Sequence, residues 1–358
     1  MGPLIAILLL GLLVFVHEAG HFLVARWSGV RILRFSLGFG PQVFGWKRGE
    51  TEYCVSWIPL GGYVKMAGEQ RSEQRQQPWD YLAKPISTRA LIVFAGPLVN
   101  YFTAVLSLWV VFMVGYPELL SVVGQVAKEM PARAAGLQEG DHIQAIDGRP
   151  IRTWEEMTEF IHAAPGRALT FRIDRKGTTQ DMAVTPKLKS ITDPFGRQKR
   201  VGLIGISPSG AFEARRVGPL EAFGRTIEQQ NEWLAQTMFA LWSLVTGKLS
   251  MRESMTGPIG ILYLTSEAAS MGLAPLLSLM SLFSLSLALF NLFPIPILDG
   301  GHLFFLAVEK LRGTPVSINV QERAAQVSFV LLMTLVLVVC VNDVNRFGLV
   351  EKVLGWLK

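Results

Sequence analysis

The sequence is poor in charged residues and in cysteine. Only 17% of its 358 residues are charged, whereas about a quarter are charged in an ordinary soluble protein, and this shortage argues against a soluble enzyme. The two cysteines, Cys54 and Cys340, lie far apart, which excludes a disulfide framework and a CxxC zinc or redox motif. No basic run is interleaved with aromatic residues, so the net charge of +6 indicates membrane-flanking and surface charge, with no nucleic acid as partner.

The charge is missing from long apolar runs. Half of the residues are hydrophobic, and the mean hydropathy is +0.35. About 20 apolar residues span a bilayer as a helix, so we expect a polytopic α-helical membrane protein in the lipid bilayer. The first run lacks a basic n-region and an Ala-x-Ala cleavage site, and we expect it to be retained. The predicted spans are 3–25, 91–114, one within 274–293, and 324–341.

One further apolar segment, 233–247, has only 15 residues. That length favours a helix at the membrane interface over a span. Polar Gln236, Thr237 and Ser243 lie between its apolar positions, which follow helical spacing as in an amphipathic helix. We predict an interfacial helix here. The alternative is a fifth span, which would place the rest of the chain on the opposite side of the membrane.

The first predicted span contains His17-Glu18-Ala19-Gly20-His21. Two histidines four residues apart project from one face of a helix and can share a zinc ion, while the glutamate between them can reach a water molecule. Three ionisable residues within five positions of a membrane segment are costly, so a functional role is favoured over a chance match. These residues predict a metal site with Zn²⁺ as the cofactor.

Asp299 is the strongest candidate for a third ligand, because catalytic zinc usually has three protein ligands. It follows the third predicted span directly, and in a protein with four spans the first and third run in the same direction. His17, His21 and Asp299 are then expected near the same face of the membrane. Two alternatives stay open: Asp299 as a helix-end charge at the membrane surface, and His302 as the ligand in its place.

The segment 51–67 has a β pattern. Apolar residues alternate in 53–57, and Gly61-Gly62 predicts a turn before Tyr63. We expect a hairpin. An extended peptide needs hydrogen-bond partners for its backbone, and the hairpin could bind one as an extra strand, with Gly61, Gly62 and Tyr63 as candidate substrate-binding residues. The alternative is an ordinary surface hairpin.

The amides of Asn100 and Asn291 lie in apolar segments. Both are candidates for binding the backbone of a substrate. For each, the alternative is a hydrogen bond to a neighbouring helix.

The motif His17-Glu18-x-x-His21 in the first span, together with Asn291-x-x-Pro-x-Pro-x-Leu-Asp299-Gly in the third, resembles the site-2 protease family of intramembrane zinc metalloproteases. The bacterial branch that includes the regulator-of-sigma-E protease is the most similar. The resemblance implies that His17, His21 and Asp299 bind zinc, that Glu18 is the general acid and base, and that the β region is a membrane-associated loop. Further agreement lies in 39–41, 59–66, 95–100 and 257–260.

The middle of the chain, 117–210, has the pattern of a small soluble domain. Short apolar strands alternate with glycine and proline, and a helix is expected at 154–162 after a capping box of Thr153 and Glu156. The segment 131–148 resembles the PDZ signature of bacterial proteases. Some relatives have two tandem PDZ domains, whereas this chain has room for one.

A PDZ ligand loop is expected at 201–206, whose sequence resembles the carboxylate-binding loop in a circularly permuted order. Backbone N–H groups there could hold the C-terminus of a peptide. The alternative is an unused groove on a domain that acts as a bulky gate against proteins with intact ectodomains. The predicted loop residues are Gly202, Leu203, Ile204 and Gly205.

Loop charge predicts the orientation of the protein. The loop 26–89 holds ten Lys and Arg against five Asp and Glu, which favours the cytoplasmic side. With the resemblance, this puts the active site near the cytoplasmic face and the PDZ domain outside the cytoplasm, in the periplasm of a cell with an inner membrane. The expected parts are two membrane cores, 1–116 and 274–358, the PDZ domain 117–210, and an interfacial helical region, 211–273.

The predicted function is regulated intramembrane proteolysis. By resemblance, the substrates are single-span membrane proteins whose ectodomain has been removed, namely truncated anti-sigma factors, together with remnant signal peptides. One alternative is a non-catalytic scaffold that binds peptide tails and holds a structural metal, but Glu18 would have no task in such a site. A transporter with a metal-binding site is a third alternative, and the repeated halves with paired discontinuous helices that it predicts are not seen in the sequence.

Overall fold

The computed structural model describes residues 2–69, 77–192, 198–249 and 256–346. The chain divides into two compact units. One unit combines the two ends of the chain, Met1–Val111 and Met251–Lys358, with Phe223–Leu234, and the other combines Phe112–Ala222 with Ala235–Ser250.

Both units contain helices and strands. In the described ranges the α-helices are α1 Gly2–Trp27, α2 Ile86–Val114, α3 Pro131–Ala134, α4 Trp154–His162, α5 Pro219–Val245, α6 Pro258–Met271, α7 Leu273–Asn291, α8 Asp299–Arg312 and α9 Ile318–Arg346. The strands there are β1 Ile32–Arg48, β2 Thr51–Met66, β3 Tyr116–Leu119, β4 Val123–Val126, β5 His142–Ile146, β6 Arg149–Pro150, β7 Leu169–Arg175, β8 Thr178–Val184, β9 Lys187–Thr192, β10 Gln198–Leu203, β11 Ile206–Pro208 and β12 Phe212–Arg215.

Four helices of the described residues, α1, α2, α7 and α9, are long and apolar enough to cross a membrane. Their number agrees with the four predicted spans. The interfacial segment expected at 233–247 is the second half of α5, a helix of 27 residues that is not one of these four. Helix α6 was not predicted as a separate element from the sequence, and its 14 residues pack against α1.

Buried hydroxyl and amide groups connect the helices of the first unit. Ser281 on α7 donates to the carbonyl of Ala104 on α2 at 2.7 Å, and Gln230 on α5 donates to the Ser281 hydroxyl at 2.8 Å. Ser284 donates to the carbonyl of Asn100 at 2.8 Å. Interhelical hydrogen bonds of this kind stabilise membrane proteins by about 0.6 kcal/mol each. They fix the positions of α5 and α7 relative to α2.

Strands β1 and β2 form a sheet that corrects the predicted hairpin. The connection between the two strands is at Gly49 and Glu50 and not at Gly61-Gly62. Along β1, Arg34 is paired with both Glu52 and Lys65. The two arms of β2 therefore do not pair with each other, because part of β1 lies between them.

The chain nevertheless reverses its direction within β2. The first arm of β2, residues 52–55, runs parallel to residues 34–37 of β1. The second arm, residues 62–65, runs antiparallel to the same part of β1. Gly61 has φ of +114°, a conformation that residues with a Cβ rarely adopt. The chain therefore does change direction at the glycine pair. The local sequence pattern did not show that both arms of β2 pair with β1 and not with each other.

The second unit contains a small domain around one apolar core. Strands β6, β5, β7 and β8 form a sheet in that order, and β4 pairs with β11. Helix α4 begins with the predicted capping box, in which Thr153 and Glu156 each bond the backbone of the other. Its Met157 and Ile161 are buried against the strands. The core also contains Val123, Leu137, Ile143, Ile146, Leu169, Phe171, Ile173 and Ile204.

A buried carboxylate links the end of α9 to the start of α6. Asp343 is fully buried and accepts hydrogen bonds from the backbone N–H groups of Gly257 at 3.1 Å and Gly260 at 2.9 Å. The first N–H groups of a helix have no partner within the helix, and α6 is capped here by another helix. A negative charge is also favourable at a helix N-terminus.

Replacing Asp343 by alanine is expected to lower the free energy of unfolding by about 2 kcal/mol, because both N–H groups stay buried without an acceptor. Thermal unfolding of the purified protein in detergent measures this loss. Ser270→Ala is the matched control, since Ser270 is exposed and bonds only within α6. Equal stability of the Asp343→Ala and Ser270→Ala proteins would contradict this account of the cap.

Candidate metal centre

Three side chains that can bind a metal meet inside the first unit. His17 and His21 lie one turn apart on α1, and both are buried. Asp299 Oδ2 is 3.0 Å from His17 Nε2 and 3.5 Å from His21 Nε2, and the two Nε2 atoms are 3.2 Å apart. All three ligand atoms lie within 4.8 Å of one another. Residues separated by almost the whole chain thus converge at one point.

The segment between α7 and α8 positions Asp299. Helix α7 ends at Asn291, and Asp299 is the first residue of α8. Between them the chain folds back so closely that a Cβ on Gly300 or Gly301 would collide with backbone atoms of 292–296. Only glycine fits at these two positions. The proline-containing segment and the glycine pair together determine where the carboxylate of Asp299 lies.

Helix α2 covers the two histidines on the other side. His21 Nδ1 lies 2.8 Å from the backbone carbonyl of Ile92, and a carbonyl can only accept. The Nδ1 atom of His21 therefore carries a proton, and in the neutral ring Nε2 has the free electron pair that a metal needs. Also on α2, Gly96 lies so close to the two rings that a Cβ on it would collide with His21 and His17. The helices approach this closely because Gly20 and Gly96 have no side chains.

The electrostatic environment of the site suits a cation. Asp299 Oδ2 is buried, and within the described residues it accepts no hydrogen bond of good geometry. Burial by itself raises the pKa of Asp299, but interactions with His17 and His21 outweigh it and hold the pKa below its ordinary value. The carboxylate is therefore ionised at neutral pH. Two imidazole nitrogens and one carboxylate oxygen, with room for a further ligand, are the donor set of many catalytic zinc sites.

His302 lies in the same cavity but not in the group of three. It is on α8, one turn after Asp299. Burial lowers its pKa below the ordinary value for histidine, which leaves the ring neutral at pH 7. Among the described residues, the group of converging ligand atoms consists of His17, His21 and Asp299. The geometry thus favours Asp299 over His302, the rival that the sequence left open.

The three side chains open into a cavity of about 880 Å³. Glu18 lines it, and the backbone of Val64 on β2 is close enough to the Glu18 carboxylate to interact with it. A Cβ on Gly62 would come within 3.3 Å of the Glu18 side chain. The β2 arm after Gly61 therefore lies directly beside the glutamate.

The predicted substrate-binding residues have different positions. Asn291 and Tyr63 line the cavity, and Gly62 lies beside Glu18. Gly61 packs against the ring of Phe39. Asn100 is fully buried, with its side-chain nitrogen 3.3 Å from His17 Nδ1. This contact between α2 and α1 matches the interhelical hydrogen bond that was the alternative for Asn100.

An ion pair on the cavity wall was not found from the sequence. Arg89 on α2 and Glu309 on α8 form a two-pronged pair, with distances of 2.6 and 3.2 Å, and both side chains are largely buried. The pair connects the helix that covers the histidines to the helix that carries Asp299. The two residues are 220 positions apart, and no spacing rule relates them. The apolar runs that flank each residue were the only signal.

The predicted PDZ loop lies at the end of β10 in the second unit. Gly202 is packed against the carbonyl of Ile161 at the end of α4, where a Cβ would collide, and Gly205 has φ of +83°. Ile204 belongs to the apolar core, and Leu203 is the last residue of β10. The following strand, β11, has three residues.

The apolar helices and the converging His-His-Asp group with its neighbouring glutamate define the class, a membrane-associated metalloenzyme. A model of peptidase family M50 matches residues 5–335, and the chain belongs to that family. It is accordingly a metalloprotease that uses zinc.

Relatives from several bacteria match nearly the whole chain. A protein of Rhizobium meliloti named as a zinc metalloprotease is 37% identical, over 94% of this chain and 94% of its own length. The regulator of sigma-E protease RseP of Escherichia coli is 30% identical, over 95% of this chain and 97% of its own length. Among solved structures, the PDZ domain of an SdrC-like protein from Listeria monocytogenes is 23% identical with a TM-score of 0.20, and the match covers 26% of this chain and 88% of that one.

Replacing Gly96 by alanine is expected to weaken zinc binding at least about tenfold, the lower end of the effects seen when the surroundings of zinc ligands are disturbed. The added Cβ displaces the ring of His21, which its hydrogen bond to Ile92 holds in place. Competition with a zinc chelator measures the affinity. Gly224→Ala is the control, because a Cβ on Gly224 meets open space. Native zinc affinity in the Gly96→Ala protein would show that the helix contact does not position the ligands.

Proposed function

We propose that the protein is an intramembrane endopeptidase of the site-2 type, which hydrolyses a peptide bond in or near the transmembrane segment of a single-span protein. The observation that carries the proposal is the convergence of His17, His21 and Asp299 beside Glu18, in a cavity among apolar helices. Ionisable groups within or next to a membrane-spanning segment are costly and mark a functional site. Water is available to the reaction because the cavity is lined by protein and not by lipid.

In this proposal His17, His21 and Asp299 hold the zinc ion, which when bound polarises the scissile carbonyl and activates a water molecule as a Lewis acid. Glu18 accepts the proton that this water loses and passes it to the leaving amine. The position of Glu18 on the cavity wall, one residue from His17 and beside β2, supports this role.

A substrate helix must unwind before its carbonyls become accessible. The β2 arm 62–66 is paired with β1 on one side, and its residues Gly62 and Val64 lie beside Glu18. A strand edge of this kind accepts an extended peptide through main-chain hydrogen bonds. We infer that the unwound substrate lies along this edge, with Gly62, Tyr63 and the Asn291 amide as its contacts.

The names of the relatives support a substrate class. One of them is named regulator of sigma-E protease, and we infer that this protein cleaves similar substrates: anti-sigma-factor-like proteins whose ectodomain has been removed, and remnant signal peptides. The surplus of basic residues in 26–89 supports a cytoplasmic active site in the inner membrane. The domain at 117–210 is then an extracytoplasmic PDZ domain, either binding peptide C-termini at 202–205 or excluding intact ectodomains.

A scaffold with a structural metal is the competing function. Structural zinc sites are closed by four protein ligands, whereas the described residues bring together three, which open into a cavity. This open position favours catalysis over a scaffold.

Glu18→Gln is expected to lower proteolysis by a factor of about 10² to 10⁴, the usual contribution of a general acid and base, while zinc binding stays native. The test is co-expression with a tagged single-span substrate that lacks its ectodomain, and detection of the product in membranes. Glu18 is not a ligand, so zinc content separates loss of proton transfer from loss of the metal. Equal product from both proteins would mean that Glu18 has no catalytic role.

The Asp299→Ala protein is expected to lose both zinc and activity, because only two protein ligands, the histidines, would remain and the ion needs a third. His302→Ala is the matched control, one turn along α8 in the same cavity, and it should retain its zinc. Zinc content of the purified proteins after dialysis measures the difference. The reverse result, with zinc lost only from the His302→Ala protein, would exchange the roles of the two residues.

A further inference from the structure

The side-chain amide of Asn100 touches a ring that is expected to bind zinc. Asn100 lies on α2, is fully buried, and does not line the cavity. Its backbone is held as well, because the Ser284 hydroxyl donates to the Asn100 carbonyl at 2.8 Å. The side chain therefore has a fixed position and a fixed neighbour, His17.

The orientation of this amide decides which nitrogen of His17 carries a proton. The amide nitrogen of Asn100 is placed 3.3 Å from His17 Nδ1, and Asn100 Oδ1 is buried with no hydrogen-bond partner among the described residues. If the nitrogen donates, neutral His17 carries its proton on Nε2, the atom that faces Asp299. A protonated Nε2 cannot bind a metal.

Rotating the side-chain amide of Asn100 by 180° gives the buried Oδ1 a hydrogen-bond partner and leaves His17 Nε2 able to bind a metal. The oxygen and nitrogen of an asparagine side chain have nearly the same shape, and their placement is decided by the hydrogen bonds they make. With Oδ1 toward the ring, the buried oxygen gains a partner and accepts the proton of His17 Nδ1. His17 Nε2 is then left with a free electron pair directed at Asp299.

His21 shows the same arrangement independently. Its Nδ1 lies 2.8 Å from the Ile92 carbonyl, which can only accept. Ile92 and Asn100 are both on α2, two turns apart, and each faces one of the two histidines of α1. The helix thus offers an oxygen acceptor to each ring on the side away from Asp299.

We propose that Asn100 is a positioning residue whose side-chain oxygen accepts a hydrogen bond from His17 Nδ1 and thereby keeps His17 Nε2 unprotonated for zinc. The inference rests on the proposed function, because it takes His17 as a ligand. It replaces substrate binding as the role of Asn100. Partners of this kind fix the tautomer of a ligating histidine, and their loss typically weakens metal binding about 10- to 100-fold.

Zinc affinity of the full chain in detergent, measured by chelator competition with zinc alone, tests the proposal. Asn100→Leu removes the acceptor at similar size and should weaken binding about 10- to 100-fold. Asn100→Asp has oxygen acceptors and no donor, and it should restore affinity close to native. Ser107→Ala is the control, because the buried Ser107 hydroxyl on α2 bonds only to its own helix.

Each outcome of the competition experiment has one meaning. Equal loss of affinity in the Asn100→Asp and Asn100→Leu proteins would show that the amide donates to His17, which overturns the proposal. Native affinity in Asn100→Leu would overturn it as well. A His17→Ala arm separates the two levels of the argument: native affinity in that variant would refute His17 as a ligand, and with it the proposed metal site.

A second measurement reads the tautomer of His17 directly. Nitrogen-15 spectra of the zinc-loaded native protein, labelled at its five histidines, report which nitrogen of each ring carries a proton. The His17 signals are assigned by their absence in His17→Ala. The expected result is a proton on Nδ1 of His17, and an unprotonated Nδ1 would overturn the proposal.

Discussion

The close approach of α1 and α2 is the contact on which the rest of the site depends. Gly20 faces the backbone of Ala95, and Gly96 faces the rings of His17 and His21, so that neither position leaves space for a Cβ. The two helices can therefore place the backbone carbonyl of Ile92 and the side-chain amide of Asn100 within hydrogen-bond distance of the histidines. A wider crossing would leave the rings free to rotate. Small residues are the usual means by which membrane helices come this near.

A second constraint is that polar groups among apolar helices need partners. The chain meets it with contacts between helices that are far apart in sequence: Ser281 with Ala104, Asp343 with the start of α6, and Arg89 with Glu309. The last of these contacts also connects α8, which carries Asp299, to α2, which covers the two histidines. These contacts avoid the cost of an unpaired polar group, which is several kcal/mol in this environment. One of them also holds together two helices that surround the metal centre.

Much of the architecture was predictable because its signals are local. A helix that crosses a bilayer needs a charge-free run of sufficient length, and four such runs are visible in the sequence. The HExxH motif is also local, since two histidines four residues apart must share a helix face. The capping box at Thr153 and Glu156 was readable for the same reason. The β region was only half predicted, because the turn residues are local whereas the strand between the two arms of β2 comes from 34–37.

The sequence by itself determined the apolar helices, the histidine pair and the acidic residue after the third span, because residue type and spacing suffice for each. Only the tertiary structure decided that Asp299, rather than His302, lies within 3.5 Å of both histidines, that α6 packs against α1, and that Asn100 faces His17. These facts depend on how the backbone of 292–298 folds back and on which helix faces meet. Such contacts join residues up to 282 positions apart, and no local pattern encodes a distance across the fold.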